Sequence, residues 1–325
     1  MRQTVFIVVT TLLLLPPLAY ATSTQPAALT LQDGVIFAGQ KPAMLAGNSL
    51  FWSNTGWGGE KFYTDNTVRM LQNEWKSNVV RIPIGVETPG GYLEKPEENM
   101  KRAEVVINSA LKRNMYVIVD WHSHEAEKHE EAAHAFFRKI SEKYGKHNNI
   151  IYEIYNEPLK VSWTSTIKPY AERIIRVIRE NDSTNLIVVG TSNWSQDVDI
   201  ASTDPINDSN TAYALHFYAG SHGKWLIQKA TVALQNKLPL FVTEWGTVNA
   251  EGTGNVNEKQ TQEWMTFLRS NKISHVNWSI NDKNEGASAL QPGTLKLTPS
   301  GKLAKSIIID WQQQNINAST ETDSF

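Results

Sequence analysis

The sequence predicts a single (β/α)8 barrel, a TIM barrel of the α/β class. Three observations carry that expectation. Eight short apolar, β-branched runs recur along the chain. Amphipathic stretches of helical period separate them at a spacing of roughly 30 residues, the alternation that builds a parallel sheet. Polar and aromatic residues gather at the C-terminal ends of the runs, the rim where such a barrel carries its active site. A doubly wound open sheet is the competing arrangement. It would show a glycine-rich phosphate loop after the first strand, and "LAGNSLFWSNTGWGGE" lacks GxGxxG.

The elements follow in order. "AMLAGNSLF" (43–51) is the first run, and the "WGGEKF" behind it reads as a loop over the barrel mouth. "NTVRMLQNEWKS" sets Val68, Leu71 and Trp75 at helical spacing. "NVVRIPIG" (78–85) is the second run, although Pro83 is awkward for a central strand because it has no N–H to donate. In "ENMKRAEVVINSALKRN" the apolar face is expected to hold Val105, Ile107 or Asn108, and Leu111. "MYVIVDWH" (115–122) and "IIYEIYNE" (150–157) are the third and fourth runs. Pro158 disfavours helix at Glu157 and ends the fourth. "IKPYAERIIRVIRE" groups Tyr170, Ile174, Ile175 and Ile178. "NLIVVGT" (185–191), "AYALHFY" (212–218), "LPLFVTEWG" (238–246) and "SHVNWSIND" (274–282) complete the eight.

The flanks read differently. "MRQTVFIVVTTLLLLPPLAYA" has a basic start, an apolar stretch too short to span a bilayer and a small-x-small site at Ala19–Ala21, so residues 1–21 are expected to be a secretory signal peptide. The barrel is expected over 22–312, and a disordered tail over 313–325, where the chain is polar and patternless. No linker or second domain is apparent, and a secreted, extracellular monomer is expected, free of the membrane after cleavage. A net charge of −2 argues against a nucleic-acid partner. The absence of cysteine excludes thiol catalysis, cysteine metal sites and disulfides, so the core alone must hold the fold. Eleven tryptophans exceed ordinary core needs, and a surplus suits stacking on flat apolar ligand faces.

The rim then supplies the chemistry. The strand ends offer Arg81, then Asp120, Trp121 and His122, then Asn156 and Glu157, with Trp194 after the fifth run. His216 and Tyr218, Glu244 and Trp245, and Trp278 with Asn281 and Asp282 complete the circuit. Glu157 and Glu244 face one another across the mouth from the fourth and seventh strands. Paired carboxylates are what glycosidic cleavage needs, one to protonate the leaving oxygen and one to attack the anomeric carbon or activate water. Arg81 and the Tyr218 hydroxyl are expected to hold Glu244 ionised as nucleophile. Glu157, with less positive support, is expected to be the general acid/base. Asn156 suits a substrate hydroxyl, and His122 and His216 suit hydroxyls or the two carboxylates. Asp120 and Glu153 read as supporting groups, Glu153 as a partner of Arg81 or of a neighbour inside the barrel.

"IYEIYNEP" and "FVTEWG" resemble the acid/base and nucleophile segments of glycoside hydrolase family 5. "VDWHSH", "LHFYAG", "GTSNWSQDVD" and "NWSINDKNEGASAL" resemble its bacterial-type endoglucanase branch, over about residues 28–311. The resemblance implies retaining hydrolysis of β-1,4-glycans, most often cellulose, with no cofactor and no metal. It implies an active-site core of Arg81, His122, Asn156, Glu157, His216, Tyr218, Glu244 and Trp278. It also implies sugar platforms at Trp52 and Trp194 on either side of the cleavage point, and hydroxyl contacts from Lys283 and Glu285 on the non-reducing side. Asn48 stands where that branch usually has Met, and "RIPIGVE" departs from it at the second strand. Mannanase, xylanase or mixed-linkage glucanase activity on the same machinery is the nearest alternative, and a non-catalytic glycan-binding barrel is another. The run "HSHEAEKHEEAAHAF" is rich in His and Glu, but "HEEAAH" does not make HExxH, so a solvated helix face is expected there.

Overall fold

A computed structural model of the chain describes residues 25–322, with side chains to residue 315. The expected signal peptide lies outside the described residues. Eight parallel strands close into a barrel: β4 (Ala46–Leu50), β5 (Val79–Gly85), β6 (Tyr116–His122), β7 (Ile150–Glu153), β8 (Ile187–Val189), β9 (Thr211–Tyr218), β10 (Leu240–Gly246) and β11 (His275–Ile280). Each precedes a helix: α1 (Asp65–Trp75), α2 (Pro96–Lys112), α3 (Glu130–Tyr144), α4 (Lys168–Arg179), the single turn α5 (Val198–Ala201), α6 (Lys224–Gln235), α7 (Glu258–Ser270) and α8 (Pro299–Thr322).

The helices seat as their periodicity dictates. Thr64 caps α1, its Oγ1 accepting from Thr67 N, and the helix buries Val68, Leu71 and Trp75. α4 buries Tyr170, Ile174, Ile175 and Ile178. α2 starts on Pro96 and differs from expectation by a rotation: its buried face is Ala103, Val106, Ile107 and Ala110, and Val105 is exposed. Seven of the eleven tryptophans are buried.

Alternation along the strands sorts side chains into two cores. Val80, Ile82, Val117, Val119, Trp121, Tyr152 and Val242 face the helices. Val79, Ile118, Ile151, Val188, Ala214, Phe241 and Val276 fill the lower barrel interior. Pro83 fits because its carbonyl faces the β4 side, where it accepts from Ser53 N. The β4–β5 ladder has already ended at Ser49 opposite Arg81, so no ladder donor is missing.

Three features correct the sequence reading. β7 ends at Glu153, four residues before Glu157. Ile154 and Tyr155 then both pack outward, which breaks the alternation and lets Asn156 turn inward to Arg81. The polar tail does not lose its order at Gln313. α8 continues through Thr322, and the side chains of Gln312 and Asn315 donate to the carbonyls of Ala46 and Met44, which also accept from Asn78 N and Trp311 Nε1. Finally, the N-terminal segment forms an antiparallel sheet of β1 (Leu29–Gln32), β2 (Val35–Ala38) and β3 (Lys41–Pro42), absent from the sequence reading. Asp33 and Gly34, both at positive φ (49° and 79°), make its two-residue turn. Leu29 and Ile36 pack into the lower barrel core, and Asn210 Nδ2 ties Leu29 O to the barrel.

This sheet closes the bottom of the barrel. Replacing Leu29 with Ala is expected to cost about 2–5 kcal/mol of stability, read as a fall in the urea midpoint without a change in slope.

Candidate active site

The upper interior of the barrel is ionic. Arg81 is fully buried at its centre. Its Nε donates to Glu153 Oε2 at 2.7 Å, Nη1 to Glu244 Oε2 at 2.9 Å, and Nη2 to Asn156 Oδ1 at 2.6 Å, with Asp120 Oδ2 at 3.0 Å. Four strands or their ends, β5, β6, β7 and β10, thus meet on one guanidinium. Burial opposes the charge on Glu153, but Arg81 and His216 outweigh it and hold that carboxyl below its ordinary value. Burial pushes Asp120 well up, against the pull of Arg81. Asp120 also meets His122 Nδ1 at 2.6 Å. Burial and the Arg81 charge push His122 well down, so it is neutral, with Nδ1 engaged by Asp120 and Nε2 left available to a ligand hydroxyl.

Glu244 is held at both oxygens. Arg81 donates to Oε2 and the Tyr218 hydroxyl donates to Oε1 at 2.7 Å. Burial, together with the charge of Glu157, raises its pKa, while Arg81, His216 and the Tyr218 hydrogen bond pull it back. Two donors aimed at one carboxyl group bind its ionised form. Burial and the Glu244 charge keep Tyr218 protonated, which preserves that donor.

Glu157 is half-buried and held from the other side. His216 Nδ1 lies 3.0 Å from its Oε1, and His216 Nε2 lies 2.9 Å from Thr243 Oγ1, whose hydroxyl donates to Glu153 Oε1 at 2.6 Å. Burial works against the His216 cation, but the bonds to Glu153 and Glu157 outweigh it and push its pKa up to about 9. One oxygen each of Glu157 and Glu244 and one His216 nitrogen lie within 4.8 Å of one another. These are the one trio of metal-capable side chains among the described residues. A protonated imidazole has no lone pair to give, so the trio fits a hydrogen-bonded carboxylate pair better than a cation site.

Trp278 stacks on His122 at 5.3 Å and 5°. Lys283 lies 4.6 Å over the Phe51 ring, Phe51 contacts Trp278, and Lys283 pairs with Glu285 at 2.9 Å, so both belong to the same side of the mouth. Trp52 meets His122 edge-on at 4.2 Å. Trp194 is exposed and sits in a turn in which Asn193, Trp194 and Ser195 all have positive φ (60°, 58° and 56°). That conformation is costly for residues with side chains. It is held by bonds from Asn193 N to Leu159 O, Trp194 N to Pro158 O and Ser195 Oγ to Asn156 O. Of the residues at the strand ends, Trp121 and Trp245 do not face the mouth: both pack outward against the helices, Trp121 on Phe136 and Phe137 and Trp245 on Phe217.

Four contributors escaped the sequence reading. Thr243 relays His216 to Glu153 because β10 shifts register between Phe241 and Glu244, which turns Thr243 and Glu244 both inward. His124 Nδ1 reaches Glu157 O at 3.0 Å. Trp57 lies beside Trp52, its ring tilted by 31° at 5.3 Å. Ser195 fastens the Asn156 carbonyl. Only Trp57, in a glycine-flanked loop, carried a signal that composition makes visible.

Comparison with known proteins identifies the family of this barrel. The profile of the family described as Cellulase (glycosyl hydrolase family 5) matches residues 37–284. Endoglucanase Z of Dickeya dadantii (strain 3937) is 55% identical over 294 residues, 90% of this chain and 69% of that protein. An endoglucanase of Clostridium saccharobutylicum is 41% identical over 72% of this chain and 53% of its own length, so the chain spans about half of that relative. Among solved structures, a protein from Cytophaga hutchinsonii superposes with a TM-score of 0.85 at 43% identity, over 92% of this chain and 98% of that one. The catalytic domain of Thermobifida fusca endoglucanase Cel5A gives 0.82 at 30% identity, over 86% and 97%.

The raised His216 pKa has a consequence for stability. The folded value, about 9, exceeds the ordinary 6.5, so this group's contribution is fully present below pH 6.5 and is lost as pH rises through 9. Across that window it is expected to lower stability by up to about 1.4 kcal/mol per pH unit. Denaturation midpoints at a series of pH values, compared with those of His216→Gln, read the slope. Equal slopes in the two proteins would show that His216 carries no extra proton.

Proposed function

The chain belongs to glycosyl hydrolase family 5, and on that premise we propose that it is a secreted endo-β-1,4-glucanase acting with retention of configuration. The separation of the two carboxylates is the observation that carries the mechanism. Oxygens of Glu157 and Glu244 lie within 4.8 Å. Retaining glycosidases place the pair about 5–5.5 Å apart, whereas inverting ones need about 6.5–9.5 Å to admit a water between.

In this reading Glu157 protonates the glycosidic oxygen while Glu244 attacks the anomeric carbon. The leaving sugar departs and a glycosyl ester forms on Glu244. Glu157, now ionised, takes a proton from water as the water attacks the same carbon, and Glu244 is released. Arg81 and Tyr218 keep Glu244 charged and aimed. His216 holds Glu157 in place through Oε1. Asn156 and His122 Nε2 meet ring hydroxyls, and Trp52, Trp194 and Trp278 meet the apolar faces of successive sugars. Lys283 and Glu285 bind hydroxyls on the non-reducing side. The N-terminal leader supports secretion, because a β-glucan polymer is met outside the cell. No helix among the described residues is long and apolar enough to cross a membrane.

The test is the release of reducing ends from carboxymethylcellulose, mixed-linkage β-glucan, glucomannan and xylan. Strong release from carboxymethylcellulose is expected, with Glu157→Gln and Glu244→Gln each lowering it by about 10²–10⁴-fold. Release from mannan or xylan alone would keep the mechanism and move the specificity. Binding without release from any of them would leave a glycan-binding barrel.

Tyr218→Phe removes one of the two donors on Glu244, and that hydrogen bond lowers the Glu244 pKa. The acid limb of the kcat/KM profile, where the nucleophile must lose its proton, is therefore expected to move to higher pH. An unmoved limb would remove Tyr218 from the control of Glu244.

A further inference from the structure

Three tryptophans are exposed: Trp57 at 37%, Trp194 at 38% and Trp225 at 43%. The first two belong to the mouth already described. Trp225 does not. It is the second residue of α6, so it stands at the mouth end of the barrel, and the loop before it carries His222, whose Nδ1 accepts from Tyr218 N. His222 meets the Trp225 ring edge-on at 5.7 Å. Nothing in the core requires an indole here, and a large apolar face left in water at a functional rim is a mark of ligand contact.

The surroundings of Trp225 lead back to the cleft. Lys229 Nζ lies 5.9 Å from its ring centroid and pairs with Asp197. Asp197 and Lys229 line a groove of about 590 Å³ together with Lys160, Asn193 and Ile200. Lys160 in turn lies 5.8 Å over the Trp194 ring. Neither indole lines the groove itself, but each is contacted by one of its lysines, and the groove carries two amines, one carboxylate and one amide along its length. Apolar faces flanked by spaced hydrogen-bonding groups match the two sides of a pyranose ring. Two lysines against one aspartate make no strong field, so a neutral polymer suits the groove better than a highly charged one.

We propose that this groove is a distal binding site for the β-1,4-glucan chain as it leaves the cleft past Trp194, on the side opposite Lys283 and Glu285, with Trp225 as its outer stacking platform. The inference rests on the glucanase reading above. The occupant is the same chain that the catalytic cleft holds, because Asn193, the neighbour of Trp194, and Lys160, which lies over its ring, both line the groove. Lys160, Asp197 and Lys229 engage its hydroxyls. The site adds grip on long chains and does not touch the bond that breaks.

The full-length protein carrying Glu244→Gln is the binding partner for the test, with soluble β-glucan and cello-oligosaccharides of increasing length as probes. Adding Trp225→Ala is expected to weaken binding of the polymer by about 3–10-fold, the range of one aromatic contact, with a loss that grows with chain length. Trp225→Tyr is expected to restore most of it. Melting temperatures of the variants guard against unfolding. Equal polymer affinity with and without Trp225→Ala, in a protein that does cleave β-glucan, overturns this site alone. Failure of the unsubstituted protein to cleave any β-glucan overturns the glucanase reading and this site with it.

Discussion

A single buried cation organises the upper half of this barrel. Arg81 is fully buried, so its charge must be met by protein, and Glu153, Asp120, Glu244 and Asn156 meet it from three other strands or their ends. Each partner is itself desolvated and would be costly alone. The cluster is therefore stable only when complete, and the position of Glu244 follows from the position of Arg81. Below it the interior is packed with Val, Ile, Leu, Ala, Phe and Tyr side chains. The barrel is an apolar plug at one end and an ionic lattice at the other, and on β5, β6, β7 and β9 the change falls within two residues, as from Val79 to Arg81, Ile118 to Asp120, Ile151 to Glu153 and Ala214 to His216.

The lattice also separates the two glutamates. Glu244 receives its hydrogen bonds from groups that do not give up protons near neutrality, a guanidinium and a buried phenol. Glu157 receives one from His216, whose other nitrogen is tied through Thr243 to Glu153. One carboxylate is fixed by permanent donors. The other is addressed by a titratable ring and is more open to solvent, which suits a group that must give and take a proton within each turnover. The difference lies in the identity of the donors, since both carboxylates are held by hydrogen bonds.

Much of this was legible from residue order. Eight runs, their helices and the polar strand ends are local patterns, and Glu157, Glu244, Arg81 and Tyr218 stand where those patterns place them. What was not legible depends on departures from pattern. Strict alternation through "IYEIYNE" puts Tyr155 inside and Asn156 outside; the real strand stops at Glu153 and reverses that. Strict alternation through "FVTEWG" separates Thr243 from Glu244; a register shift in β10 turns both inward. Neither irregularity has a local signature. The N-terminal sheet did have one, since Asp33-Gly34 between two apolar runs is a hairpin signal, but eight barrel strands already accounted for the chain's apolar segments. The tail misled in the opposite sense. Its polar residues looked unable to fold, yet Gln312 and Asn315 bind carbonyls that only the assembled barrel presents.

The left-handed turn at Asn193–Ser195 bears on how such an enzyme can be altered. Its backbone and Ser195 are tied to the carbonyls of Asn156, Pro158 and Leu159, the same short segment that carries Glu157. The loop after β8 and the loop after β7 are therefore one mechanical unit. Barrel enzymes are often treated as a fixed frame with interchangeable loops, each grafted on its own. Here that modularity fails at one seam. A transplanted Trp194 loop would arrive without its partner, and the recipient's acid/base segment would be left to settle elsewhere, so the two loops must be exchanged as a pair.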